Sequence, residues 1–248
     1  MFWKKFEIRF SETDESGCLS MSGLLRLFQD VGYFHALARG RGNTPVRTPS
    51  GTVPAPAENQ KRTWYLLSWH IEAMRMPVCG EAVTAETWIY FSGGSIAKKQ
   101  LLLRSADGGI LAVGDTRWVY MDVLTGQPAI PPEGVWLPED FGERLPLEKK
   151  VGRLRPRRPT DAETVALPHD CVDARLLDIN HHANNVLFTE YAMTLASRRT
   201  GCRFLAAEFL RQAKAGAELC PYLSSDGEGK TVTVTDGEGA PYAVFRFA

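Results

Sequence analysis

Asp178, Asn180 and His182 stand at alternate positions in the run Leu176-Leu177-Asp178-Ile179-Asn180-His181-His182-Ala183-Asn184-Asn185. In an extended segment, residues two apart share one side. The spacing predicts a carboxylate, an amide and an imidazole aimed at one volume, with His181 turned away. A general base, a hydrogen-bond donor and an orienting group are the minimal kit for activating water at an acyl carbon. Residues 186–193 follow with helical apolar spacing. The N–H groups and positive dipole end at the start of that helix, near Asn184 and Asn185, favour a developing oxyanion. A local reading stands beside the chemical one: Asn180, Asn184 or Asn185 capping the helix through its side chain. His181 and His182, with His169, raise the question of zinc. No His-x-x-x-His or carboxylate spacing closes a ligand set, so neither metal nor cofactor is expected.

Such a loop needs a scaffold, and the composition supplies one. Of 248 residues, 44% are hydrophobic and 23% charged, the profile of a globular protein with a substantial core. The 29 basic and 29 acidic residues cancel, which argues against nucleic acid as a partner. No run approaches the roughly 20 apolar residues of a membrane span, so no membrane insertion is expected. Residues 1–6 lack the apolar core of a signal peptide. The five cysteines are odd in number and form no CxxC pair. Neither a disulfide framework nor a thiolate zinc site is suggested, and a reducing cytoplasm is the expectation.

Periodicity divides the chain into two similar halves. Residues 6–10 alternate as a strand, and the polar stretch 11–17 contains Asp14. Residues 20–37 carry Leu24, Leu27, Phe28, Val31 and Phe34 at helical spacing, with Ser20 or Ser22 as N-cap. Their apolar positions nearly encircle the helix, predicting deep burial. Residues 39–62 read as a long surface loop, either a lid or an entrance to a site. Strands are predicted over 64–74, 83–90, 96–105 and 111–121. The proline-rich, basic stretch 125–163 reads as a connector. The second half runs strand 165–176, polar loop 177–185, helix 184–199, then strands 204–211, 217–224, 231–235 and 242–247. Asp14 thus corresponds to Asp178, and the chain is a two-fold tandem repeat. A helix that is apolar all round must be enclosed by its sheet. The fold class is therefore α+β: two curved antiparallel sheets, each wrapped around a long helix and joined through edge strands.

The residues Asp178-Ile179-Asn180-His181-His182-Ala183-Asn184-Asn185 resemble the Asp-x-Asn-x-His-x-Asn-Asn loop of the acyl-acyl-carrier-protein thioesterases of plants and bacteria. Trp64–Ile71, Pro77-x-x-Gly80-Glu81, Thr87-Trp88 and Asp122-Val123-x-Thr125-Gly126-x-Pro128 are similar to the same family's first domain and the turn that leaves it. The resemblance implies a tandem double hotdog. Its parts are an acyl-binding domain over 1–124, a linker over 125–163 and a catalytic domain over 164–248. It implies hydrolysis of fatty acyl-carrier protein to free fatty acid, with Asp178, Asn180 and His182 as catalytic residues. The family pattern places an acid, often followed by Cys, on a later strand; here Gln212-Ala213 stands there. A cysteine nucleophile is not expected, and Gln212 would position water.

Asp178 could act as base or as nucleophile. Candidate acyl-binding residues are Leu24, Phe28, Trp64 and Trp69, with Leu27, Leu66 and Trp88; each also suits a plain core. The expected partner is acyl carrier protein, an acidic class that the basic stretch from Lys149 to Arg158 could steer. The chain would be a monomer or a homodimer. The rival readings are an acyl-CoA thioesterase of the same fold and a non-catalytic acyl-binding module.

Overall fold

The computed structural model describes residues 1–39, 47–48, 51–52, 62–149, 152–178, 182–198 and 200–248. Most of the expected loop 39–62 lies outside the described residues, as do Asn180, His181 and Lys150. The first half contains β1 (Phe2–Glu7), α1 (Met21–Ala38), the two-residue strands β2 (Arg47–Thr48) and β3 (Gly51–Thr52), then β4 (Arg62–Ala73), β5 (Ala82–Gly93), β6 (Ile96–Ser105) and β7 (Ile110–Asp122). The second half contains β8 (Thr164–Ala166), β9 (Asp170–Cys171), α2 (Asn185–Leu195), β10 (Phe204–Phe209), β11 (Glu218–Asp226), β12 (Gly229–Thr235) and β13 (Pro241–Phe247).

One 11-stranded antiparallel sheet runs β1-β5-β6-β7-β4-β10-β13-β12-β11-β8, with β9 on β11. The halves join where β4 pairs with β10, Trp69 opposite Ala207. That pairing turns two strand edges into ladder. Along β6, Ala97, Leu101 and Leu103 alternate inward, while Leu102 faces the opposite side of the sheet. α1 buries Leu24, Leu25, Leu27, Phe28 and Val31 against the inner face, and α2 adds Val186, Phe188, Ala192 and Met193 to the same core. The helices also meet through an ion pair between Arg26 and Glu190.

Local chemistry moved three boundaries. The first strand lies at Phe2–Glu7, not 6–10. Phe10 is 84% exposed in a tight 3-10 turn, where Glu12 accepts the Arg9 backbone N–H at 2.9 Å. The expected strand 165–176 is broken into β8 and β9 around Pro168, which has no N–H for a ladder. The second helix stops at Leu195, and Ser197 adopts φ 52 just beyond it.

The proline-rich stretch between the halves packs on the sheet as a strap. Leu145 and Leu147 cover Trp88, Leu102 and Val113 on the outer face of the first half. Trp88 Nε1 donates to the Glu143 carbonyl at 2.7 Å, and Gln100 Oε1 accepts from Leu145 N–H at 3.1 Å. Glu72 receives the N–H groups of Glu148 and Lys149. Asp140, fully buried, is held by His35 and Arg39 from the last turns of α1. Proline kept this strap out of the ladder while its apolar side chains still sought burial.

Candidate active site

Around Asp178 the backbone closes a small loop. Asp178 N–H donates to His182 O at 2.9 Å, and Leu177 bridges Ala183. Asp178 Oδ1 in turn accepts the His182 N–H at 3.3 Å. The first half repeats this geometry at Asp14, whose N–H donates to Cys18 O at 2.8 Å, with Thr13 bridging Leu19. There Asp14 Oδ1 accepts from Ser16, and no histidine stands opposite. Two copies of one loop thus carry different side chains, and only the second has the chemical set.

The loop delivers the chain into α2. Asn184 is the N-cap, its Oδ1 accepting from Val186 N–H at 2.9 Å and from Leu187 N–H at 3.3 Å. The capping reading therefore holds for Asn184, while Asn185 is the first helical residue. The Asn184 N–H is used by Leu176 O, at 2.8 Å. In that first turn Asn185 N–H is left as the donor without an acceptor among the described residues. Asn184 also donates through Nδ2 to Gln29 Oε1 of α1 at 3.3 Å, tying the loop to the first half. Replacing Asn184 with Ala should cost about 1 kcal/mol of stability through the lost cap. Denaturant unfolding measures the loss.

Asp178, His182, Asn184, Asn185 and Gln212 all line one cleft of about 2460 Å³. Gln212 reaches it because Ala183 N–H donates to Ala213 O at 2.9 Å, which draws residues 212–214 alongside the loop. The other walls come from the first half and the strap: Phe28, Trp64, Leu66, Trp69, Trp118 and Trp136 among them. Trp69 meets Phe209 edge-on at 6.0 Å, so aromatic packing continues across the join.

The structure sorts the expected acyl-binding residues. Phe28, Trp64, Leu66 and Trp69 line the cleft. Leu24 and Leu27 do not; they sit in the core with no more than 1% exposure, on the side of α1 turned into the sheet. Trp88 points to the outer face and packs under the strap. His169 lies outside the cleft and meets Glu218 at 3.2 Å and Cys220 Sγ at 3.6 Å. Cys202 and Cys220 are buried, and burial pushes the Cys202 thiol up to about 11, unfit for a nucleophile.

Several lining residues were not anticipated. Thr116, Trp118 and Tyr120 share one side of β7, so strand alternation could have marked them. Gln29, Tyr33 and Lys99 also line the cleft, and their polarity hid them among expected core positions.

Two helix-filled half-sheets fused edge to edge over one large cleft define a double-hotdog protein. The chain belongs to the acyl-ACP thioesterase family: residues 1–135 match the family's acyl-ACP thioesterase N-terminal domain. A chloroplastic palmitoyl-acyl carrier protein thioesterase of Gossypium hirsutum is 23% identical over 212 residues, 79% of this chain and 47% of that protein. Its counterpart from Cuphea hookeriana is 25% identical over 196 residues, covering 76% and 45%. The chain thus spans about half the length of the curated relatives it matches. Among solved structures, an acyl-ACP thioesterase from Bacteroides thetaiotaomicron superposes with a TM-score of 0.80 at 20% identity, over 99% of this chain and 96% of that one. The 12:0-ACP thioesterase from Umbellularia californica gives 0.78 at 21% identity, over 99% and 95%. These likenesses establish the double-hotdog fold. No described helix is long and apolar enough to cross a membrane.

Proposed function

We propose that the protein hydrolyses a fatty acyl thioester of acyl carrier protein, releasing the free acid and the carrier thiol. The observation that carries this reading is the shared cleft: Asp178, His182 and the start of α2 open onto the same space as Phe28, Trp64 and Trp69. The thioester carbonyl lies at the start of α2, with Asn185 N–H donating to its oxygen. Asp178, acting as base, takes a proton from water as the water oxygen bonds to the carbonyl carbon. The C–S bond then breaks and His182 gives a proton to the departing thiolate. Proton return from Asp178 to His182 closes the cycle. Asn180 joins this set on the strength of the motif, and Gln212 orients the water. If Asp178 instead attacks directly, hydroxylamine will trap an acylated enzyme, an outcome the base role excludes.

In this reading the division of labour follows residues 1–124 for acyl binding, 125–163 as strap and 164–248 for chemistry. The five cysteines are free in the structure and suit the cytoplasm. A hydrolysis assay over acyl-carrier proteins of differing chain length, with matched CoA thioesters, tests the function. Preference for the carrier substrates supports it. Preference for CoA substrates makes the protein an acyl-CoA thioesterase, and tight binding without turnover makes it an acyl-binding module.

The exposed Arg155, Arg157 and Arg158 on the strap give the carrier a basic approach. Reversing all three to Glu should lower kcat/KM on acyl-carrier protein about tenfold or more at low salt. The same variant should hydrolyse a small N-acetylcysteamine thioester at the native rate. Unchanged kcat/KM on the carrier substrate would remove the strap from docking.

A further inference from the structure

Lys99 belongs to the inward face of β6, between Ala97 and Leu101, and is only 9% exposed. It lines the cleft. Among the described residues its amine has neither an ion pair nor a hydrogen bond. The carboxylate whose field it feels, Asp140, is already committed. Asp140 Oδ1 takes His35 Nε2 at 2.8 Å and Arg39 at 2.9 and 2.7 Å, and Oδ2 takes Leu137 N–H at 3.0 Å. Burial of the side chain desolvates the amine, and a desolvated charge is costly unless paired. The Tyr33 hydroxyl, in the wall of the same cleft, is buried without a partner among the described residues.

Lys99 lies far from the reacting end. It stands opposite Thr116, Thr116 opposite Trp69, and Trp69 opposite Ala207. Three strand spacings, about 14 Å, therefore separate it from the second half's first strand in that row. Along α1, the catalytic loop meets Gln29 while the Lys99 neighbourhood meets His35, about 9 Å further down the axis. An acyl chain that starts at Asn185 and runs into the first half ends near this amine.

We propose that Lys99 makes the far end of the cleft a carboxylate-binding subsite, so that the preferred acyl groups carry a terminal carboxylate in place of a methyl. This rests on the acyl-thioester reading for the orientation of the chain. A methyl end leaves the ammonium facing hydrocarbon. A carboxylate end gives it the partner that the protein withholds.

The test has a binding arm and a turnover arm. In the first, the monomethyl ester of decanedioic acid and methyl decanoate present the same neutral head and differ only in the tail. Thermal shift and titration are run on the native protein, Lys99→Arg and Lys99→Met. The native protein and Lys99→Arg should bind the carboxylate-tailed ester about tenfold or more tighter than Lys99→Met does. Methyl decanoate should bind Lys99→Met at least as well as native. Equal affinity of native protein and Lys99→Met for the carboxylate-tailed ester overturns the subsite. In the second arm, kcat/KM is compared for the matching N-acetylcysteamine thioesters. The native protein should favour the carboxylate tail and Lys99→Met the methyl tail; an unmoved ratio also overturns the proposal. Loss of turnover on both thioesters would count against the hydrolase reading alone, since the binding arm decides the role of Lys99 without catalysis.

Discussion

Replacing Asp178 with Asn should lower kcat by about two to four orders of magnitude, the span of a lost general base. The amide is isosteric and can still accept the His182 N–H through its oxygen, so the loop closed by Asp178 N–H and His182 O persists. The unfolding midpoint should therefore stay close to native, and KM should change less than kcat. His182→Ala should produce a similar loss, because the thiolate then leaves without its proton donor. The double variant should be little worse than either single one, as expected for residues acting as a unit. Steady-state kinetics of purified, folded variants on an acyl-carrier substrate measure all three. Near-native turnover in both single variants would reject the assignment.

The second large effect runs the other way. Lys99→Met should stabilise the protein by about 2 kcal/mol near neutral pH, by removing a charge from an apolar wall. Burial pushes the Lys99 amine down to about 8 from 10.5, with Asp140 opposing the shift. The charged group that acts on it is Asp140, and His35 beside that carboxylate is held neutral by burial, down to about 4. The sign of the pH dependence follows. Between about pH 8 and 10.5 the folded chain has released the Lys99 proton while the unfolded chain still holds it. The unfolded state then binds more protons, so stability rises with pH across that window. Subtracting the Lys99→Met curve from the native one isolates this rise, and urea unfolding from pH 6 to 10.5 provides both curves. A variant less stable than native at pH 7 would show that Lys99 is a structural group. A position that weakens the empty fold is one that selection for binding can retain.

The expected burial of α1 shows why the scaffold was legible. Leu24, Leu27, Phe28 and Val31 repeat at helical spacing, and Ser20 precedes them with its hydroxyl accepting the Gly23 N–H at 3.0 Å. Both signals are local, so they survive folding unchanged. The strands from β4 to β7 were legible for the same reason, as alternation needs only one buried face. Phe10 misled because apolarity was read as burial where a short-range Glu12 contact had already closed a turn. The packing of the strap was not legible because prolines report the loss of ladder bonding and say nothing about what a segment packs against.

The site divides along the same line. Sequence by itself determined that Asp178 and His182 share one short segment ahead of a helix, within about 14 Å of each other at full extension; the Asp178 N–H to His182 O bond brings them closer. It also offered Asn180, Asn184 or Asn185 as a cap, and the structure selects Asn184. Only the tertiary structure brought Gln212 beside the loop, through the Ala183–Ala213 contact between segments thirty residues apart. Only the fold could separate Phe28, which lines the cleft, from Leu24 one turn earlier, because periodicity counts residues per turn but cannot say which part of a buried face meets a cavity. Lys99 is the extreme case. One lysine of the pair Lys98-Lys99 reads as surface charge in any linear scan, and the strand's alternation turns it inward. Its meaning depends on the nearby Asp140 being committed to His35 and Arg39, and that is a property of three-dimensional neighbours which no spacing along the chain encodes.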